Sequence, residues 1–108
     1  MLELPIQVTR RLRLPYIGTY LTLPGPDDAR LLTRGVIGEP LVNIELHGID
    51  FLDAGDGLEQ LRPYQMDVRV PLARKFAALS AVVELLRGAG YSFVRLREAA
   101  ERVAREAA

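Results

Sequence analysis

Cysteine is absent from this chain and histidine occurs once, at position 47. The first absence excludes a disulfide framework and any thiolate metal site, and the second excludes a cluster of imidazoles, so the chain cannot build an all-nitrogen or thiolate metal centre by itself. Net charge is lacking too. Fourteen basic residues balance fourteen acidic ones, which leaves no long-range field to draw in nucleic acid or an anionic membrane surface. No apolar run approaches the roughly 20 residues that a membrane span needs. The start, Met1-Leu2-Glu3-Leu4-Pro5, has neither the basic region nor the sustained apolar core of a signal peptide. These features predict no nucleic-acid partner and no membrane span, and they leave the compartment open with the cytoplasm slightly preferred. Repeats and low-complexity tracts are missing as well. Lysine is nearly so: Lys75 is the only one among the basic residues, a bias that fits a GC-rich genome or a thermophile.

What is present is ordinary for a globular protein, with 49% hydrophobic and 26% charged residues in 108. That length suits a single domain, or a partial one, over residues 1–108. Leu2, Leu4, Ile6 and Val8 alternate with polar residues and predict a first strand, short or at an edge because Pro5 cannot donate a ladder hydrogen bond. Residues 10–26 are punctuated by Pro15, Gly18, Pro24, Gly25 and Pro26 and read as an irregular excursion. A helix is expected from Pro26 or Asp27 to about Arg34, with acidic residues at its positive end and Gly35 stopping it.

Residues 41–47 are apolar nearly throughout and predict a central strand. Residues 48–70 hold Asp50, Asp53, Asp56, Gly55, Gly57 and Pro63 and read as a long loop. Pro71 then opens a helix whose Leu72, Phe76, Leu79, Val82, Val83 and Leu86 form an apolar stripe, closed by Gly88 and Gly90. A third strand over 92–94 and a helix from Arg97 to about Ala107 complete the chain. Strands alternating with helices predict an α/β architecture, a three-stranded, mostly parallel βαβαβα segment. Three strands cannot close a barrel, so the piece looks incomplete and invites a partner.

The stretch that carries most information is Val42-Asn43-Ile44-Glu45-Leu46-His47-Gly48-Ile49-Asp50, which sets the only imidazole at the end of an apolar strand. Together with Leu2-Glu3-Leu4-Pro5-Ile6, with Val70-Pro71-Leu72-Ala73-Arg74-Lys75, and with the run from Gly90 through Phe93-Val94-Arg95-Leu96-Arg97-Glu98-Ala99-Ala100, it resembles the C-terminal part of NodB-type polysaccharide deacetylases. The strand ending in His47 is the most specific element of that likeness.

The resemblance implies part of a (β/α) barrel with fewer strands than eight, and metal-assisted hydrolysis of N- or O-acetyl groups on sugars. It implies a divalent, zinc-like metal for the complete enzyme but no cofactor held by this chain, since the family's acidic motif and its His-x-x-x-His motif are both missing. Carried over is His47 alone, as the general acid toward the leaving amine or alcohol. Its implied partners are the N-terminal remainder of the barrel and, once complete, a carbohydrate. Arg13-Leu14-Pro15-Tyr16 imitates the family's Arg-x-Pro-aromatic motif but follows the Leu-Glu-Leu-Pro strand instead of preceding it, and reads as a surface loop. Gly48-Ile49 stands where related sequences often place proline and an aromatic residue.

Each candidate has a plainer alternative. His47 could be a structural histidine at a strand terminus, and only the resemblance tips the balance to catalysis. Asp50, Asp53 and Asp56 miss the spacing of an EF-hand and read as solvated turn and cap residues, with Asp50 also able to orient His47. Tyr16 and Tyr20 offer flat faces to a sugar ring, yet packing is an equal use for them. Arg10, Arg11 and Arg13 suit a solvated or ion-paired strand edge. For the whole chain, the alternative to an enzyme segment is a small freestanding α/β binding or scaffolding module that self-associates, completing its sheet with a second copy as a homo-oligomer.

Overall fold

The computed structural model describes residues 4–107. The expected three-stranded sheet is not there. Helices and 3₁₀ turns hold 55% of the described residues and β-bridges only 4%, with no sheet among them. The N-terminal half of the first expected strand, Met1 to Glu3, lies outside the described residues. The remainder folds back on itself: Val8 and Pro15 form an antiparallel bridge, the Thr9 amide donates to Leu14 O at 2.9 Å and the Tyr16 amide to Gln7 O at 2.8 Å. Arg13 closes this turn with a positive φ of 58°. Proline at 15 offers no amide to lengthen the ladder. Residues 41–47 form no strand: they make one parallel bridge, between Glu45 and Ile17, while Val42 and Ile44 pack against the core and the Asn43 side-chain amide donates to Pro5 O at 3.2 Å. Residues 92–94 join no ladder.

Four α-helices carry the architecture. α1 (Gly18–Thr22) and α2 (Pro26–Arg34) are followed by α3 (Leu72–Gly88) and α4 (Leu96–Ala107). α2 starts as its sequence predicts, with proline in the first turn, Asp27 and Asp28 at its positive end and Arg34 in its last turn. α1 has no side-chain cap and no charge in its terminal turns. It exists because Leu21 and Thr22 are fully buried, tertiary packing overriding a sequence poor in helix formers. The loop over 48–70 is ordered into short 3₁₀ turns at Gly48–Phe51, Ala54–Asp56, Glu59–Leu61 and Met66–Arg69.

The core lies between α2 and α3. Ala29 of α2 and Ala78, Val82 and Leu86 of α3 pack with Tyr16, Leu21 and Val36. The face of α3 turned inward takes in Val82 and Leu86 of the predicted stripe but is rotated to bury Lys75, Ala78 and Ala81 as well, leaving Phe76 48% exposed. α4 buries only Ala99, carries an Arg102–Glu98 ion pair at 2.6 Å, and follows a junction where Tyr91 Oη donates to Glu39 O at 2.6 Å.

Tyr16 is wholly buried and its hydroxyl meets Thr33 Oγ1 at 2.8 Å. It is therefore a core residue and cannot stack on a sugar. Burial pushes its hydroxyl up to about 12, against the smaller downward pull of the Thr33 hydrogen bond. Because the folded value lies above the ordinary 10.0, the stability is intact below that value and is lost as pH rises toward about 12. Tyr16→Phe is expected to remove this alkaline component and to cost about 1 kcal/mol at neutral pH for the lost hydrogen bond. Urea denaturation at neutral and strongly alkaline pH measures both effects.

Candidate functional site

His47 stands where the extended segment ends and the turn Gly48–Phe51 begins, as the N-cap residue of that turn. Its backbone is clamped from below. The His47 amide donates to Asp50 Oδ2 at 2.7 Å, and the Asp50 amide returns a bond to His47 O at 3.0 Å, a reciprocal pair that closes the turn. Asp50 is buried to 1% exposure, so it is not the solvated turn residue that its spacing suggests. It orients His47 through the main chain. The imidazole itself is 63% exposed and has Glu45 Oε1 at 3.5 Å from Nε2, a contact that is an ion pair only when the ring carries its second proton.

Two further residues hold this turn. Gly18 opens α1, donates its amide to Glu45 O at 2.9 Å, and lies so close to Asp50 that a Cβ there would sit 2.1 Å from Oδ2. Lys75 reaches out of α3 with no solvent exposure and its Nζ donates to Ile49 O at 2.7 Å and Leu52 O at 2.5 Å. A buried ammonium is costly unless its donors are met, and here two main-chain carbonyls that flank Asp50 meet two of them. Asp53 adds a second link to α3: its Oδ2 accepts the Leu72 amide at 2.7 Å and its Oδ1 the Gly55 amide at 2.8 Å. Those two bonds, with a smaller contribution from the Lys75 charge, hold its carboxyl below the usual value. Asp67, also buried, takes a bond from the Thr19 hydroxyl at 3.3 Å. Oδ1 of Asp50 and Oδ1 of Asp67 are buried with no hydrogen-bond partner among the described residues.

Comparison with family models, with curated proteins and with solved structures finds no match. The chemistry must therefore be argued from the chain itself. Of the residues singled out from sequence, His47 and Asp50 are brought together. Tyr16 is in the core, and Tyr20, 46% exposed, is carried by α1. The described residues contain no group of three His, Asp or Glu side chains able to hold a metal ion. They do not fit the divalent metal that the family resemblance implies, and no metal ligand is assigned to this chain. Lys75 and Gly18 were not legible as site residues. The signal for Lys75 was its singularity: a lone lysine among thirteen arginines, on the helix after the histidine turn.

The platform beneath His47 is tested by two glycines, one opening α1 and one following His47. Gly18→Ala forces a methyl group onto the Asp50 carboxylate and is expected to destabilise by about 1–3 kcal/mol, the usual cost of overpacking. Gly48→Ala, where an added Cβ meets nothing within 4 Å, is expected to stay within about 0.5 kcal/mol of the parent. Chemical denaturation of the two variants side by side makes the comparison.

Proposed function

We propose that this chain supplies the proton-donating histidine of a deacetylase-like hydrolase acting on acetylated sugars, with the metal-binding groups carried by residues outside it. The observation that supports the reading is an exposed imidazole on a turn whose main chain is doubly braced. Asp50 holds the His47 main chain, Lys75 holds the carbonyls on either side of Asp50, and the ring is left open to solvent. Rigid main chain under a free ring is what a positioned general acid requires. A structural histidine would instead direct both ring nitrogens inward to fixed partners.

In the proposed step, one ring nitrogen of His47 gives its proton to the leaving amine or alcohol as the bond from the tetrahedral carbon to that nitrogen or oxygen breaks. The ring is left neutral and the leaving group departs uncharged. An imidazole can hold and release that proton near neutrality, where most other side chains cannot. The proposal keeps this chemistry and does without the three-stranded parallel sheet, which the helical fold overturns.

In an assembly competent for deacetylation, His47→Ala is expected to lower kcat by about 10²–10⁴-fold and to leave metal content and KM unchanged, because proton donation strengthens only as the leaving group departs. Steady-state kinetics with metal analysis decides the matter. Full turnover in the variant, or loss of metal together with activity, refutes the role.

A second reading, a small binding or scaffolding module that associates with copies of itself, draws on the outer face of α3 and on α4. Phe76 and Leu96 are largely exposed there, and Ala99 is the only residue that α4 buries. Apolar helix faces of this kind are ordinarily covered. Sedimentation equilibrium is expected to show a dimer at high micromolar concentration, and Phe76→Glu to return it to monomer.

A further inference from the structure

A second surface feature lies along α1 and α2. The loop over residues 9–14, α1 and α2 enclose an open groove of about 950 Å³, within the size range of small-ligand sites. Tyr20, Leu23, Leu31 and Leu32 line it with apolar surface. Leu31 is 64% exposed, although it sits in the middle of a helix that elsewhere packs against the core.

The polar groups in the groove sort into those already engaged and those not. Thr9 Oγ1 accepts the Leu14 amide at 3.0 Å, and Thr19 Oγ1 donates to Asp67 at 3.3 Å. A polyhydroxylated ligand would find few neutral partners, whereas an aliphatic chain needs none. Arg10 is occupied, with Ile37 O at 3.2 Å and Glu39 at 3.9 Å. Arg11 and Arg34 have no carboxylate partner among the described residues.

These two free arginines belong to one end of the groove. The Arg10 amide donates to Gly35 O at 2.9 Å, which lays residues 10–11 beside the C-terminal end of α2, where Arg34 stands. Asp28 lines the groove from the first turn of the same helix, about 9 Å away along its axis at 1.5 Å per residue. The two guanidinium groups thus stand at one end of an apolar trough and the carboxylate of Asp28 toward the other.

We propose that this groove binds a long-chain carboxylate, its headgroup between Arg11 and Arg34 and its hydrocarbon tail over Leu31 and Leu32 toward Asp28. An anionic head complements the unpaired arginines, and the planar guanidinium fork matches a carboxylate. The proposal does not rest on the role given to His47.

The test is calorimetric titration of the chain with dodecanoate below its micellar concentration, with 1-dodecanol and dodecyl maltoside as uncharged comparisons. Saturable one-to-one binding of dodecanoate is expected, with much weaker binding of both neutral amphiphiles. Leu31→Asp, at an exposed position, should abolish binding while leaving the unfolding transition in place. The double substitution Arg11→Gln with Arg34→Gln should weaken dodecanoate binding about tenfold or more, as loss of charge-assisted hydrogen bonds does, without changing the response to dodecanol. Neutral and charged amphiphiles binding equally, non-saturable uptake, or wild-type affinity in the arginine double variant would each overturn the proposal. So would a dimer that Leu31→Asp dissociates and that takes up no dodecanoate, since the groove would then be a contact between copies.

Discussion

The ammonium of Lys75, buried without solvent and bonded to the carbonyls of Ile49 and Leu52, is the interaction on which the candidate site depends. It ties the longest helix to a short 3₁₀ turn that has little stability of its own. Asp50 is then enclosed between that turn and the bare backbone of Gly18, and His47 inherits a fixed main chain from Asp50. Taking one member away leaves a charge or a carbonyl pair buried without its complement, which is the costly direction for such groups. The arrangement thus behaves as a unit whose parts come from α1, the turn and α3.

The helices with strong local signals were legible in the sequence. α2 has its proline, its acidic first turn and the glycine beyond it, and α4 has its alanine-rich, ion-paired composition. α1 was not legible, because nothing local favours it and its burial decides it. The alternation of apolar and helical segments suggests parallel strands with crossovers, but among the described residues those segments form only isolated bridges and no sheet. Strand pairing is a property of non-local contacts. Pro15 cuts one ladder short, and residues 41–47 share one bridge with Ile17.

The candidate site shows the same division. His47 at the end of an extended segment and before a glycine is a local pattern, and its place as the N-cap of a turn follows from it. The burial of Asp50 and Lys75 is not local. The stripe of Leu72, Phe76, Leu79, Val82, Val83 and Leu86 marks Val82 and Leu86 as inward but gives no sign that α3 also turns a lysine and two alanines inward, a choice that the turn across from it makes favourable. The two uses open to Tyr16, packing and a sugar contact, could not be separated locally either, since its partner Thr33 comes from α2.

The Asp53 carboxylate accepts one amide from its own turn and one from the first residue of α3. A helix start is usually capped by the residue just before it, but Pro71 can offer α3 no such side chain. The cap is borrowed from a loop far back in the chain, so the order of that loop and the order of the helix start are a single event. The amides of Gly55 and Leu72 share one acceptor carboxylate, so losing that carboxylate would free the turn and the helix start together.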